Sequence, residues 1–241
     1  MSAGKRARLL ALLTLLQHRF PHLDNPARLI EQGVVWVNGV PSTNPRTRVR
    51  ADAVVRIHRP RPLRGTIKLI HALTTFGVRT AGVVALDLGA AAGGFTQALL
   101  NAGAARVYAV DTGAGQLRGW LRADPRVINL ERTNLAQLDR QLIGEPVELI
   151  TMDLSYLAVA DAIGQVDRQL LAPATQLIAL IKPTFELHAA TLANQPQQVA
   201  AAVRAAARAL ASHDWQVLGQ QPSPIRGANG AVEVLMHATS R

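Results

Sequence analysis

Residues 83–96 read Val83-Val84-Ala85-Leu86-Asp87-Leu88-Gly89-Ala90-Ala91-Ala92-Gly93-Gly94-Phe95-Thr96, an apolar run that breaks into glycines and leads into a helical pattern. A buried strand followed by such a turn lets the backbone approach a ligand closely. The helix that follows offers unpaired N–H groups to a carboxylate or phosphate. The spacing is G-x-x-x-G-G, not the G-x-G-x-x-G that cradles a pyrophosphate, which argues against a hydride-transfer dinucleotide enzyme. The next apolar run, Ala105 to Val110, ends in Asp111. An acid about 20 residues beyond a glycine loop is placed to accept both ribose hydroxyls of an adenosine group. The glycines serve equally as a plain structural turn, and Asp111 as a helix cap, unless the neighbouring residues say otherwise.

The apolar runs Val83–Leu88, Ala105–Val110, Val147–Met152 and Gln176–Ile181 alternate with helical patterns. That rhythm predicts a mostly parallel sheet with helices on both faces, an α/β Rossmann-like domain. After an Ala-rich helix over about residues 196–211, Trp215–Leu218 and Ala231–Met236 predict a terminal antiparallel hairpin with a long loop.

The chain has 241 residues, 49% hydrophobic, 17% charged and 4% aromatic, with a net charge of +10 and no cysteine. This is enough to bury a real core and excludes disordered and disulfide-scaffold classes. Thiolate zinc sites, iron–sulfur clusters and a cysteine nucleophile are excluded as well. The seven histidines form no ligand-spaced pair, and no metal is expected. No apolar run approaches the ~18 residues of a membrane span. Lys5, Arg6 and Arg8 before Leu9–Leu16 imitate a secretion signal, but no small-residue cleavage pattern follows. A first helix over Leu9–Phe20 and a cytoplasmic protein are expected.

The charge is uneven. Residues 1–65 carry Lys5 and 11 arginines against Asp24, Glu31 and Asp52, a net of +9, and the remaining residues are nearly balanced. A split of this kind predicts two modules, the first facing a polyanion. The preference for Arg favours bidentate phosphate contacts. The expected boundaries are a small α+β domain over 1–58, a linker over 59–67 and a larger domain over 68–241. In the first domain, Asp24 or Asn25 caps a helix over 26–32 that starts at Pro26 and stops at Gly33. Val34–Val37 and Ala53–Ile57 read as strands, and Asn38-Gly39 as a hairpin turn. The joint Arg59-Pro60-Arg61-Pro62-Leu63-Arg64-Gly65 is read as neither helix nor strand. Its cations Arg59, Arg61 and Arg64 suit a phosphate backbone.

The pattern Ala27-Arg28-Leu29-Ile30-x-x-Gly33-x-Val35-x-Val37-Asn38-Gly39 resembles an S4 RNA-binding domain. The resemblance implies that Arg28, Arg46, Arg48 and Arg50 contact RNA. Asp87-x-Gly89-x-x-x-Gly93-Gly94 with Asp111 resembles the S-adenosylmethionine pocket of class I methyltransferases. Taken with Arg64-Gly65-x-x-Lys68-Leu69, Glu131-Arg132-Thr133-Asn134, Lys182-Pro183-x-Phe185-Glu186 and Ser223-Pro224-Ile225-x-Gly227-x-x-Gly230-x-Val232-Glu233, nearly the whole chain is similar to the TlyA family. These S4-plus-FtsJ-like proteins are known both as hemolysins and as ribosomal RNA 2'-O-methyltransferases.

The resemblance implies S-adenosylmethionine as cofactor and ribosomal RNA or a ribosomal subunit as partner. It implies a catalytic tetrad of Lys68, Asp153, Lys182 and Glu233, with Lys182 activating the ribose hydroxyl and Asp153 holding it in line. Asp87, Gly89, Ala90, Gly93, Gly94, Phe95, Asp111 and Asn134 would bind the cofactor, Asn134 near the adenine. After Glu186 the chain continues Leu187-His188-Ala189-Ala190, where the family usually has a glycine-rich loop. Two rival readings are a non-catalytic RNA or ribosome binder that has kept the fold, and a cytolysin. No spanning segment or isolated basic amphipathic helix supports the latter.

Overall fold

The chain divides into two units, Met1–Arg61 and Pro62–Arg241, and a computed structural model describes residues 8–57, 62–187 and 194–241. The small unit runs β1 (Leu9–Ala11), α1 (Leu12–Arg19), α2 (Pro26–Glu31), β2 (Val35–Val37), β3 (Val40–Ser42), β4 (Arg48–Arg50) and β5 (Val55–Ile57). The Asn25 side chain accepts the Arg28 N–H at 3.1 Å, and Pro26 opens α2 without wasting a donor. Asn38 and Gly39 both have positive φ, 50° and 84°, the mirror-image turn that matches strand twist between β2 and β3. Asn38 Oδ1 also accepts the Val54 N–H at 2.9 Å, which fixes the approach of β5 to the other edge of β2. Leu12, Leu15, Leu16, Ile30, Val34, Val35, Val49 and Ala53 form the core of this unit.

The expected first helix is shorter than Leu9–Phe20. Leu9–Ala11 is a strand, paired antiparallel with Arg48–Arg50. Its partner lies some forty residues away in the chain and sits in an Arg-rich stretch with little strand character of its own, so local pattern shows neither strand.

The large unit runs α3 (Arg64–Phe76), β6 (Val84–Leu88), α4 (Gly94–Asn101), β7 (Arg106–Asp111), α5 (Gly119–Arg122), β8 (Val127–Glu131), α6 (Arg140–Ile143), β9 (Val147–Met152), α7 (Val159–Ile163), β10 (Leu171–Ile181), α8 (Pro183–Glu186), α9 (Pro196–Ser212), β11 (Trp215–Pro222) and β12 (Val234–Ser240). One seven-stranded sheet has the order β11-β12-β10-β9-β6-β7-β8. Strands β10, β9, β6, β7 and β8 are parallel, and β12 is antiparallel to both β10 and β11. Alternation along β6 sends Leu86 and Leu88 into one buried cluster and Ala85 into the other, so each face of the sheet carries its own core. The α/β architecture with its terminal antiparallel strands is the one expected. Because β6 lies between β7 and β9, chain order reverses beside it, and ligands bind at the carboxyl ends of strands at such a point.

Arg64 and Gly65, expected in the linker, are the first turn of α3. The prolines before them signal coil, but helix packing decides. A Cβ on Gly94 would fall 2.8 Å from Gly65 Cα, so α3 and α4 meet at a contact only two glycines allow. Strand β8, at the sheet edge and half-buried throughout, went unanticipated, and β10 begins earlier than Gln176, with a register shift between Leu171 and Gln176. Among the described residues no helix is long and apolar enough to cross a membrane.

Candidate active site

The glycine loop sits where the sheet order reverses. Below it, Asp87 is fully buried and accepts hydrogen bonds from Thr96 Oγ1 at 2.6 Å and Thr151 Oγ1 at 2.9 Å. Burial pushes its carboxyl up to about 6. Asp87 therefore braces β6 against α4 and β9. Its side chain, expected at the cofactor, is buried beneath the loop and engaged by these two hydroxyls. The side chains of Ala90 and Phe95, also expected at the cofactor, lie in the apolar core, so it is their backbone that faces the loop.

Gly89 has φ +84°, and a Cβ there would lie 2.7 Å from the Asp153 carbonyl oxygen, so the loop after β6 runs tight against the end of β9. Gly93, at φ +93°, is the N-cap of α4. Ala91 holds φ +45° without being glycine, and its N–H donates to Asp111 Oδ2 at 2.8 Å. Asp111 Oδ1 accepts the Gly113 N–H at 2.7 Å. Asp111 thus anchors the loop from the neighbouring strand, while each oxygen keeps a lone pair. Thr133 N–H donates to the Asp111 carbonyl at 3.0 Å, which brings the exposed Asn134 to the same edge of the sheet. Glycine backbone, a helix N-terminus and a carboxylate with acceptor capacity suit an adenosine-bearing sulfonium cofactor.

The four tetrad residues line one cavity of about 720 Å³, together with Arg64, Ser155, Phe185 and Gly227. Lys68 Nζ on α3 stands 2.5 Å from Glu233 Oε2, with both side chains more than nine-tenths buried. Lys182 Nζ, at the end of β10, stands 2.6 Å from Asp153 Oδ1, at the end of β9, and donates to Ser155 Oγ at 3.1 Å. Two cations and two carboxylates therefore meet in matched pairs, the only arrangement in which charges this buried are tolerable.

Residues 62–239 match the FtsJ-like methyltransferase family. The chain belongs to that family. This FtsJ-like methyltransferase is 37% identical over 223 residues to the 16S/23S rRNA (cytidine-2'-O)-methyltransferase TlyA of Mycobacterium tuberculosis, covering 87% of this chain and 81% of that protein. It is 29% identical over 217 residues to Hemolysin A of Brachyspira hyodysenteriae, with 87% and 90% covered. A solved Streptococcus thermophilus protein with a provisional hemolysin name superimposes with TM-score 0.70 at 25% identity, covering 96% of this chain and 88% of that one. The resemblance to the TlyA family holds.

The structure also shows site residues of the FtsJ-like enzyme that the sequence did not single out. Ser155 is a second partner of Lys182, and its place two residues beyond Asp153 was the available signal. Gly227 lies against Glu233, and any side chain there would strike the carboxylate. Asn194 Oδ1 accepts the Val232 N–H at 2.8 Å and steadies the approach to Glu233. Arg64, expected to contact RNA, is exposed and donates to the carbonyls of Arg226 and Gly227, strapping α3 to that loop. In the small unit, Arg46 and Arg48 are exposed, Arg28 is half-buried, and Arg50 is exposed but paired with Asp52 at 2.8 Å. Arg59, Arg61 and the segment after Leu187 lie outside the described residues. Among the described residues no group of three or more His, Asp or Glu side chains is placed to hold a metal.

Proposed function

We propose that this FtsJ-like methyltransferase transfers a methyl group from S-adenosylmethionine to a ribose 2'-hydroxyl of ribosomal RNA. The observation that carries the reading is the pair of lysine–carboxylate contacts, Lys68–Glu233 and Lys182–Asp153, facing one cavity beside the glycine loop. The backbone of Gly89, Gly93 and Gly94 would hold the cofactor, with Asp111 on its ribose and Asn134 near its base. When bound, the sulfonium supplies an electrophilic methyl group. A 2'-hydroxyl is a poor nucleophile until it is oriented and its proton leaves. Lys182 Nζ, held in line by Asp153 Oδ1, accepts that proton as the methyl group moves to the oxygen, and Asp153 matches the ammonium charge. Lys68, held in place by Glu233, presents its ammonium N–H groups on the cavity wall as fixed donors toward the developing oxyanion. The Arg-rich small unit acts as an S4-like RNA-binding domain, and the work is done in the cytoplasm, where ribosomes are assembled.

The reading is tested by incubating the full chain with ribosomal subunits and methyl-labelled S-adenosylmethionine. Label in ribose 2'-O-methyl nucleosides, lost in Lys182→Ala while RNA binding persists, is expected. Binding of RNA with no transfer by the native chain, with cofactor and substrate saturating, would leave a non-catalytic RNA binder.

A further inference from the structure

Between β7 and α5 the chain runs Thr112-Gly113-Ala114-Gly115-Gln116-Leu117-Arg118, a loop directly beyond the Asp111 carboxylate. Its own contacts fix this loop without a ligand. The Arg132 N–H donates to the Gly113 carbonyl at 3.0 Å, which ties the loop to the end of β8. The Arg118 N–H donates to the Ala92 carbonyl at 3.4 Å, which ties it to the glycine loop after β6. Leu117 is buried, and a Cβ on Gly93 would fall 2.7 Å from its Cδ1, so the leucine fills the space that glycine leaves at the start of α4. Gly115, at φ +71°, makes the turn, after which Leu117 points inward and Gln116 stays exposed. Gly113 locates the Gln116 amide. A Cβ there would lie 2.1 Å from Gln116 Nε2 and 3.1 Å from Asp111 Oδ1, so the missing side chain leaves a cradle in which a neutral donor sits beside the carboxylate.

We infer that Gln116 is a second ribose-reading residue of the cofactor site, its amide NH2 donating to a ribose oxygen whose hydroxyl proton goes to Asp111. The ligand class is an adenosine thioether or sulfonium with an intact ribose. A diol that donates both protons to a carboxylate still carries lone pairs on its two oxygens, and an ionised carboxylate has no proton with which to meet them. The Gln116 NH2 supplies two donors on the same side. Its neutrality matters, because a lysine or arginine at this place would pair with Asp111 and occupy the acceptors that the ribose needs, whereas an acid would repel it. This inference rests on the reading of S-adenosylmethionine as cofactor, and deepens it by assigning discrimination between ribose and deoxyribose to Gln116 and the Gly113 cradle.

The test uses the full chain with ribosomal subunits present, titrated with S-adenosylhomocysteine and with its 2'-deoxyribosyl and 3'-deoxyribosyl counterparts. Gln116→Leu, whose exposed site keeps the chain folded, is expected to weaken S-adenosylhomocysteine binding roughly tenfold. It should raise KM for S-adenosylmethionine by a similar factor, with a smaller fall in kcat. The loss should shrink for the deoxyribosyl counterpart that lacks the oxygen Gln116 reads. Gly113→Ala, whose methyl group displaces the flexible end of Gln116, should reproduce these effects. Native affinity in Gln116→Leu, with binding abolished in Asp111→Ala, overturns the inference and leaves the cofactor reading intact. An equal loss for the ribosyl and both deoxyribosyl ligands also overturns it, because it would show packing rather than ribose recognition. A native chain that binds no S-adenosylhomocysteine overturns both readings.

Discussion

Lys182 and Asp153 leave the ends of two neighbouring parallel strands, β10 and β9, and their charged groups meet at 2.6 Å above the sheet. Because both elements are rigid, the pair is preorganised before any substrate arrives. Lys182→Ala is expected to lower kcat by roughly 10²-fold or more with little change in KM for RNA. Asp153→Asn, which keeps the shape and removes the charge, should also act on kcat. Single-turnover methyl transfer at saturating RNA measures both, and a native rate in Lys182→Ala would remove the lysine from the chemistry.

Lys68 and Glu233 are more deeply buried than the first pair and come from elements 165 positions apart in the chain. Removing one partner strands the other charge in the interior. Glu233→Leu should therefore destabilise the fold by about 3 to 5 kcal/mol. The double variant Lys68→Met, Glu233→Leu should recover most of that stability and remain inactive. Urea unfolding of the three proteins decides it: equal destabilisation in single and double variants would show that packing, not charge, holds the site.

Gly89 joins the fold to the chemistry. Its φ of +84° and the 2.7 Å gap to the Asp153 carbonyl leave no place for a methyl group. Gly89→Ala should cost about 1 to 3 kcal/mol and displace Asp153 from Lys182, lowering methyl transfer more than stability would account for. Activity per folded molecule, compared with thermal unfolding, separates the two effects.

Asp87 makes stability depend on pH. Its folded pKa of about 6 lies above the ordinary 3.8, so between those values the folded state binds more protons than the unfolded one. Stability from this group is therefore present below about pH 4 and falls as pH rises to 6, by about 3 kcal/mol in all. Burial lowers the His237 pKa, which has the opposite sign: stability falls as pH drops through 6.5. Asp87→Asn isolates the first effect, since the difference in unfolding free energy between it and the native chain should slope across pH 4 to 6. A flat difference would show that Asp87 is ionised equally in both states.

Arg28, Arg46 and Arg48 carry the proposed RNA contacts of the small unit, whereas Arg50 is already paired with Asp52. Removing one arginine–phosphate interaction should reduce the slope of log affinity against log salt by about one. Filter binding of the triple Ala variant across a salt series is expected to show the flattening, and Arg50→Ala a smaller change.

The elements legible in the sequence were those in which local chemistry and final environment agree. The run Val147–Met152 was a strand wherever it lay, and Asn38-Gly39 dictated a turn because few other residues accept positive φ twice in succession. Strands β1, β4 and β8 were illegible because each depends on a partner supplied from elsewhere in the chain, and the start of α3 because two glycines allow a helix contact that no local pattern displays.

The same division runs through the site. The sequence alone placed the glycine loop and Asp111 at strand ends, and its resemblance to the TlyA family named the four residues that the structure gathers at one cavity. Only the tertiary structure decided that Asp87, Ala90 and Phe95 face inward, that Arg64 is a strap, that Ser155 completes the Lys182 contact and that each lysine has its own carboxylate. Those facts depend on which face of an element is buried and on what crosses it from distant parts of the chain, and burial is a property of the packed whole.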